Sequence, residues 1–169
     1  MGNVSSLFRS QLVFDEQREL FDYWQGKVTA DSLPSRADIS PLDFIRLLPK
    51  VSLIEVNGPK TNRQYKYRLA GTGLHDYHNQ EITGKTIDSL YPADIAEYWH
   101  GILDKMVARK QPVCGAAGTD ADIMGVYARF WMRLPLVDNN GRVNMVLAYD
   151  VFTTLSALSS INRAKVVTA

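Results

Sequence analysis

The sequence predicts one α+β domain built on a five-stranded antiparallel sheet, and three observations carry this prediction. The first is the order of the periodic segments, which runs strand, strand, short helices, long helix, strand, strand, strand. The second is a pair of turn signals, at residues 57–59 and 138–141, each of which joins two strand-like runs. The third is size, because 169 residues with 46% hydrophobic side chains suit one domain with a real core.

The first 30 residues are predicted to be a loose start followed by an amphipathic helix. Residues 1–12 are polar and show no strong period. Further on, one stripe recurs at helical spacing and contains Val13, Gln17, Leu20, Phe21, Trp24 and Val28. The stripe has to be covered, either by the sheet of its own domain or by the same helix of a second subunit, which would form a homodimer. Packing within the domain is favoured, because amphipathic stripes usually face their own core.

Residues 31–152 are predicted to form the domain itself, which opens with a short helix and a hairpin. Pro41 suits the first position of the helix, and Pro49 ends it. The apolar residues of this helix are Leu42, Phe44, Ile45, Leu47 and Leu48. Strands follow at 51–56 and 65–70, and the turn at 57–59 makes them antiparallel neighbours. In the second strand the apolar positions are Tyr65, Tyr67 and Leu69.

Helical segments are predicted between the second and third strands. Thr72 can cap a short turn that carries Leu74, Tyr77 and His78, and a second turn follows at Thr83-Gly84. The longest helix begins after Tyr91-Pro92. Its wide apolar face consists of Ile95, Trp99, Ile102, Leu103, Met106 and Val107.

Three strands complete the predicted sheet, at residues 113–118, 126–134 and 142–152. Asn140-Gly141 is expected to supply the positive φ angles of a tight hairpin between the last two. One alternating set in these two strands is predicted to face the helices, namely Val126, Ala128, Phe130, Met132, Leu134, Val143, Met145, Leu147, Tyr149 and Val151. Residues 153–169 are predicted to be a C-terminal extension, weakly helical at Leu155, Leu158 and Ile161 and frayed over 165–169.

Three stretches of the chain resemble the PAS domain family. They are R-L-A-G-T-G-L at 68–74, E-I-T-G-K-T-I-D-S-L at 81–90, and L-P-S-R-A-D-I-S-P-L-D-F at 33–44. The third is similar to the L-P-x-R-x-D-I-x-P-L-D-F stretch of a bacterial subfamily. The resemblance covers residues 33–152. It implies a sensory and protein-interaction module with strand order 2-1-5-4-3 and helices on one face of the sheet.

The composition indicates which kinds of binding partner and which cellular compartment are expected for this protein. A net charge of +1 gives no field that would recruit nucleic acid. The single cysteine, Cys114, rules out an internal disulfide. No apolar run approaches the roughly 20 residues that cross a bilayer, and the start lacks a signal-peptide pattern. The sequence therefore predicts a cytoplasmic protein that binds neither nucleic acid nor membrane.

The sequence offers few groups for metal or cofactor chemistry, and it identifies no cofactor. His75 and His78 are three residues apart and could face one metal or haem iron. A hydrogen-bonding or surface role is favoured, because a structural metal usually needs four ligands; no metal site is predicted. Cys114 is expected to pack as a small buried residue. In flavin-binding photosensors of the PAS family the reactive cysteine lies in a G-x-N-C-R-F-L-Q stretch, which this chain lacks.

A twisted sheet facing short helices can enclose a pocket of about 300 to 1,000 Å³. The predicted lining consists of Tyr67, Leu69, Leu74, Tyr77, His78, Tyr91, Trp99, Leu103, Met106, Phe130, Met132, Met145, Leu147 and Tyr149. The same residues would also serve as a filled core, which is the favoured alternative. The tyrosine hydroxyls and His78 support the pocket, because buried polar atoms need partners.

Two classes of function follow from these observations. The first is a stand-alone sensory and interaction module that binds a small apolar ligand. Because the chain has no room for an output domain, its signal would pass to a histidine kinase, another signalling protein or a second copy of itself. The second is a small, isomerase-like α+β enzyme that acts on an apolar molecule with Asp, His and Tyr as acid–base groups. The nearest acids, Asp76, Asp88 and Asp150, are predicted to face solvent, so no catalytic residue is assigned.

Overall fold

The computed structural model describes residues 2–118, 127–154 and 156–160, with the backbone alone at residues 2, 3 and 127. The helices are α1 Gly2–Gln11, α2 Asp15–Gly26, α3 Thr72–His78, α4 Ile87–Leu90 and α5 Ala93–Arg109. The strands are β1 Val51–Asn57, β2 Gln64–Ala70, β3 Val113–Gly118, β4 Tyr127–Val137 and β5 Val143–Thr154. They form one sheet in the order β2-β1-β5-β4-β3, with every neighbouring pair antiparallel. The predicted fold class and strand order are confirmed.

The predicted loose start is wrong, because residues 2–11 form α1. The helix packs through Phe8, whose ring centroid lies 4.8 Å from that of Phe21 in α2. Val4 and Leu7 stay 67% and 63% exposed. Only a narrow side of α1 is buried, and this explains why its sequence shows no strong period.

Helix α2 packs on the sheet of its own domain, which is the alternative that the sequence favoured. Leu20, Phe21 and Trp24 are buried, and the Trp24 indole donates a hydrogen bond to the Pro135 carbonyl of β4 at 3.0 Å. Gln17 is buried as well, because its side chain accepts the backbone N–H groups that precede the helix. The stripe is therefore part of the core, and the homodimer stays a prediction.

The segment predicted as a short helix ended by Pro49 is a kinked 3₁₀ helix, Pro41–Lys50, which includes that proline. Its backbone breaks at Phe44, where φ is −139° and ψ is 41°. The kink turns Phe44 and Leu47 into the core, whereas Leu42 and Ile45 remain 77% and 57% exposed.

Helices α3, α4 and α5 cover the opposite face of the sheet, and a second core lies beneath them. Its members include Ile54, Tyr65, Tyr67, Leu74, Trp99, Leu103, Met106, Trp131, Val146 and Ala148. Most of the predicted facing set lies instead in the core under α2, namely Met132, Leu134, Met145, Leu147, Tyr149 and Val151, with Phe130 packed against it. The prediction is wrong for these residues, whereas Val143 lies in the second core. Both faces of β4 and β5 are buried, so the alternation of polar and apolar residues in these strands does not identify a face that is exposed to solvent.

Leu69 departs from the alternation predicted for the second strand. The pairing of β1 with β2 shifts register between Leu53 and Ile54, so that Leu53 faces Leu69 and Ile54 faces Tyr67. Residues opposite each other share a face of the sheet. Leu69 thus lies on the face of Leu53, at the sheet edge, and is 50% exposed.

The β4–β5 turn differs from the predicted tight hairpin. Only Gly141 has a positive φ angle there, of 71°, whereas Asn140 is not left-handed. The Asp138 carboxylate instead accepts the Asn140 and Arg142 backbone N–H groups, and the register shifts beside Val137.

Of the predicted C-terminal helix, 156–160 is helical, whereas Leu155, Ile161 and residues 165–169 lie outside the described residues, as does Val126. In the described chain no helix is long and apolar enough to cross a bilayer.

Candidate functional site

The site lies between the sheet and α5, where three charged side chains meet. Arg129 and Arg133 lie on the same face of β4, and Asp150 is opposite Trp131, between them. One oxygen, Asp150 Oδ1, accepts from Arg129 Nε at 2.8 Å and from Arg133 Nη2 at 2.9 Å. We call Arg129, Arg133 and Asp150 the arginine–aspartate cluster.

The cluster is withdrawn from solvent. The exposed fractions are 3% for Arg129, 1% for Arg133 and 0% for Asp150. Burial pushes the pKa of Asp150 upward, but the charges of Arg129 and Arg133 outweigh it, so the pKa lies below its usual value. Burial pulls the pKa of Arg129 down, and Asp150 then raises it well above the ordinary value. Arginine side chains stay protonated in proteins, so the cluster contains two positive charges and one negative charge, an excess of one positive charge.

Several polar atoms of this site have no hydrogen-bond partner within the described part of the chain. They are Arg129 Nη2, Arg133 Nε, Asp150 Oδ2 and Trp131 Nε1. Buried polar atoms in folded proteins are nearly always paired. The site therefore presents three donors and one acceptor that can bind water or a ligand.

Aromatic rings enclose the two guanidinium groups. The Trp99 ring centroid lies 4.6 Å from Cζ of Arg129 and 4.9 Å from Cζ of Arg133. Phe152 lies 5.2 Å from Cζ of Arg129, and Trp131 packs edge-on against Trp99 with centroids 5.4 Å apart. Cations over aromatic faces are attracted by the ring quadrupole, so these rings partly replace lost hydration.

Tyr91 and His78 extend the polar network towards α3. Arg129 Nη1 donates to the Tyr91 hydroxyl at 2.9 Å, and that hydroxyl lies 3.4 Å from Nε2 of His78. Burial and, to a smaller extent, the charge of Arg129 lower the pKa of His78 to about 4, and the charge of Asp150 opposes them. His78 is therefore neutral at pH 7 and adds no charge to the site. Beside it, Tyr77 stacks on Phe152 with ring centroids 3.7 Å apart.

The predicted lining residues are divided between the two faces of the sheet. Eight lie on the α5 side, namely Tyr67, Leu74, Tyr77, His78, Tyr91, Trp99, Leu103 and Met106. Five lie on the α2 side, namely Phe130, Met132, Met145, Leu147 and Tyr149. Leu69 is at the edge. Only the eight residues on the α5 side lie on the same face of the sheet as the arginine–aspartate cluster, so only they can surround a ligand bound there.

Asp150 was predicted to face solvent, and this is wrong, because its carboxylate is fully buried. Asp76 and Asp88 are exposed as predicted, at 82% and 60% of their side chains. The residues missed by sequence reasoning are Arg129, Arg133, Asp150, Trp131 and Phe152. A signal existed, because a hairpin turned at 138–141 pairs residues 129–133 with 148–152 and so places these charges together.

The residue next to Asp150 connects the other face of β5 to the N-terminal helices. The Tyr149 hydroxyl donates to Glu16 Oε2 of α2 at 2.7 Å, and Lys50 Nζ donates to the same oxygen at 2.6 Å. Burial raises the pKa of Glu16, but the bonds from Lys50 and Tyr149 outweigh it, so the pKa is lowered. One strand therefore contacts the cluster on one face and α2 on the other.

A cleft of about 410 Å³ beside the cluster is lined by Asp88, Tyr91, Ala93, Ala96, Glu97 and His100. Tyr91 is the residue that it shares with the interior site. The described residues contain no group of three or more side chains suited to hold a metal ion. His75 is half exposed and 3.5 Å from Asp76, whereas His78 faces Tyr91, so the histidine pair does not converge on one point.

Residues 14–149 match the family model of the PAS domain. No curated protein matches the sequence. Among solved structures, an RNA-binding light-oxygen-voltage receptor is similar with a TM-score of 0.53 at 12% identity, over 84% of this chain and 40% of that chain. Identity at this level shows the fold alone.

Two further structures are similar at lower scores. The PAS domain of Bordetella pertussis BvgS has a TM-score of 0.48 at 19% identity, over 73% of this chain and 96% of that chain. The dark structure of the blue-light photoreceptor Aureochrome1 LOV has a TM-score of 0.49 at 7% identity, over 78% and 95% of the two chains.

Proposed function

The chain belongs to the PAS domain family, and from that premise we propose that it is a cytoplasmic sensory and interaction module of bacterial signal transduction. In this proposal a small ligand binds between the sheet and helices α3–α5. Binding shifts the sheet against α1 and α2, and these helices pass the change to a partner.

The observation that carries the proposal is the position of two consecutive residues in β5. Asp150 holds the arginine pair on the α5 side, and Tyr149 holds Glu16 of α2 on the other side. A ligand that moves the Asp150 carboxylate also displaces the backbone that carries Tyr149. Packed interfaces switch between discrete arrangements rather than deform smoothly, so such a shift alters the contact with α2.

The output surface proposed here is formed by the exposed apolar residues of α1, Val4 and Leu7. Val4 and Leu7 are three residues apart, so they share one face of the helix, and contiguous exposed apolar surface marks sites of association. The partner is a second copy of this chain, a histidine kinase or another signalling protein. The interior stripe of α2 does not serve this purpose, because the sheet already covers it.

Two measurements test the proposal. Native mass spectrometry of the freshly purified protein should reveal a bound small molecule. The molecule identified in this way is then added to ligand-free protein. Hydrogen–deuterium exchange should show that its binding changes protection in α2 as well as in α5. A ligand that changes exchange in α5 and leaves α2 unaffected would refute the relay.

Association through α1 is tested by light scattering after size-exclusion chromatography. We expect a Val4→Asp, Leu7→Asp double variant to be monomeric, and a Leu42→Asp variant, changed at an equally exposed apolar site, to keep the state of the parent. Deletion of residues 1–30 is a poor test, because it would remove Leu20 and Trp24 from the core. A parent protein that is monomeric at all concentrations rules out the homodimer.

The alternative of a small enzyme gains little from the interior site. An acid–base residue should have a pKa near the working pH. Asp150 is held as a carboxylate by two arginines, and its pKa is lowered. The pKa of His78, about 4, makes it a weak base at pH 7.

A further inference from the structure

We propose that the ligand of the interior site is a small monoanionic hydroxycarboxylate, bound by the arginine–aspartate cluster. The inference rests on the proposed function, which locates a ligand between the sheet and α3–α5, and it names the chemical class of that ligand. It differs from the apolar ligand that the sequence predicts.

Charge is the first argument. The buried cluster contains two guanidinium groups and one carboxylate. The neighbouring His78, with a pKa of about 4, contributes no charge. A buried charge without a counter-ion is strongly unfavourable. One added negative charge neutralises the described part of the site, whereas a neutral ligand would leave it positive and a dianion would make it negative.

The unpaired atoms define the shape of the head group. Among the described residues, no group accepts from Arg129 Nη2, Arg133 Nε or Trp131 Nε1, and a carboxylate can accept about four hydrogen bonds. Asp150 Oδ2 is an unpaired acceptor. A carboxylate alone would not satisfy it, but a hydroxyl group on the same ligand would. A hydroxycarboxylate therefore matches both the donors and the acceptor.

The surroundings limit the body of the ligand and its location. Trp99, Phe152 and Trp131 form the walls around the guanidinium groups, so a small or flat apolar body is favoured. The open cleft beside Tyr91 is lined by Asp88 and Glu97, whose charges repel an anion. The anion therefore binds at the cluster rather than in the cleft.

The test uses four probes on the full chain: mandelate, phenylacetate and mandelamide, which are similar in size, and the smaller lactate. Mandelate and lactate carry the hydroxycarboxylate head, phenylacetate lacks the hydroxyl, and mandelamide lacks the charge. Calorimetric titration and the unfolding temperature are the readouts, in a buffer free of carboxylates. We expect mandelate or lactate to bind and to raise the unfolding temperature. Phenylacetate should bind about tenfold more weakly than mandelate, since it leaves Asp150 Oδ2 unpaired.

Variants locate the bound probe. Arg129→Lys and Arg133→Lys keep the positive charge and remove the planar donor fork, so hydroxycarboxylate binding should fall about tenfold or more. Arg63→Lys is the control, because Arg63 is a partly buried arginine that pairs with Asp104 outside the cluster. Its binding should equal that of the parent. The comparison of probes on the parent protein needs no variant, so it remains decisive if a lysine variant fails to fold.

Three outcomes overturn the inference: mandelamide binding as tightly as mandelate, no binding of any carboxylate at millimolar concentration, or equal binding by Arg133→Lys and the parent. A neutral molecule found in the purified protein by mass spectrometry would refute the inference that the ligand is an anion, but it would support the proposed ligand-binding function. Conversely, mandelate or lactate binding without any change of exchange in α2 would support the anion and refute the relay.

Discussion

The substitution Asp150→Asn tests whether the cluster depends on its single carboxylate. Oδ1 of Asp150 accepts two charge-assisted hydrogen bonds, at 2.8 and 2.9 Å, from side chains that are almost wholly buried. The variant keeps the size of the side chain but leaves two buried guanidinium groups without a counter-charge. Removing one partner of a buried ion pair costs about 3–5 kcal/mol. We expect the unfolding temperature to fall by roughly 6–20 °C, since each kcal/mol lowers it by about 2–4 °C in a chain of this length.

Urea denaturation followed by circular dichroism measures the free energy of unfolding for this variant. Asp22→Asn is the matched control, because Asp22 also receives two hydrogen bonds from one arginine, Arg9, but about half of its side chain is exposed. That loss should be about 0–1 kcal/mol. The triple variant Arg129→Met, Arg133→Met, Asp150→Leu removes all buried charge and should recover most of the loss. A loss of less than about 1 kcal/mol for Asp150→Asn would refute the assigned charge balance.

Three further predictions concern the same two faces of the sheet. The pKa of His78 is lowered to about 4, so between pH 7 and pH 4 the unfolded chain takes up a proton that the folded chain does not. The free energy of unfolding should therefore fall by about 1–2 kcal/mol over this range, after allowance for partial exposure. In His78→Gln the pH dependence of urea denaturation should be correspondingly flatter. Gly115→Ala should cost about 1–3 kcal/mol, because its Cβ would lie 2.4 Å from the Trp131 ring, whereas Gly118→Ala, on the same strand with open space in the described structure, should change stability by no more than about 0.5 kcal/mol. Tyr149→Phe should cost about 1 kcal/mol by removing the hydrogen bond to α2, and hydrogen exchange should rise in α2 but not in α5.

The fold was predictable because turns and periods agree along most of the chain. The asparagine–glycine turns, the apolar face of α5 and the two tyrosines of β2 each indicated one local structure, and together they fit one sheet. The sequence did not show α1, because Phe8 is the one large apolar side chain among its described side chains that packs inward. Nor did it show the bulge opposite Leu53, because a register shift depends on the pairing of two strands rather than on the pattern of either.

The site was only partly predictable, and the reason is the same for each missed residue. In a half-buried strand, alternating polar residues face water, so Asp150 was predicted to face solvent and neither arginine was included in the predicted lining. Here α2 covers one face and α5 the other, which makes both sets interior. The charged set is accommodated because its members neutralise one another in part. Two arginines four residues apart, opposite an aspartate across a hairpin, are a pattern that can be searched for in other sheets.

The buried cluster is a poor device for stability alone. Well-packed apolar residues of similar volume usually serve as well as, or better than, a buried ion pair, because the transfer of charges from water is costly. An odd number of charges makes this worse, since one of the two guanidinium groups has no opposite charge of its own among the described residues. Three donors and one acceptor without partners in the described part of the chain add further cost in the absence of a binding molecule. These costs support the proposal that the cluster binds a hydroxycarboxylate, which would supply the missing negative charge and hydrogen-bond partners.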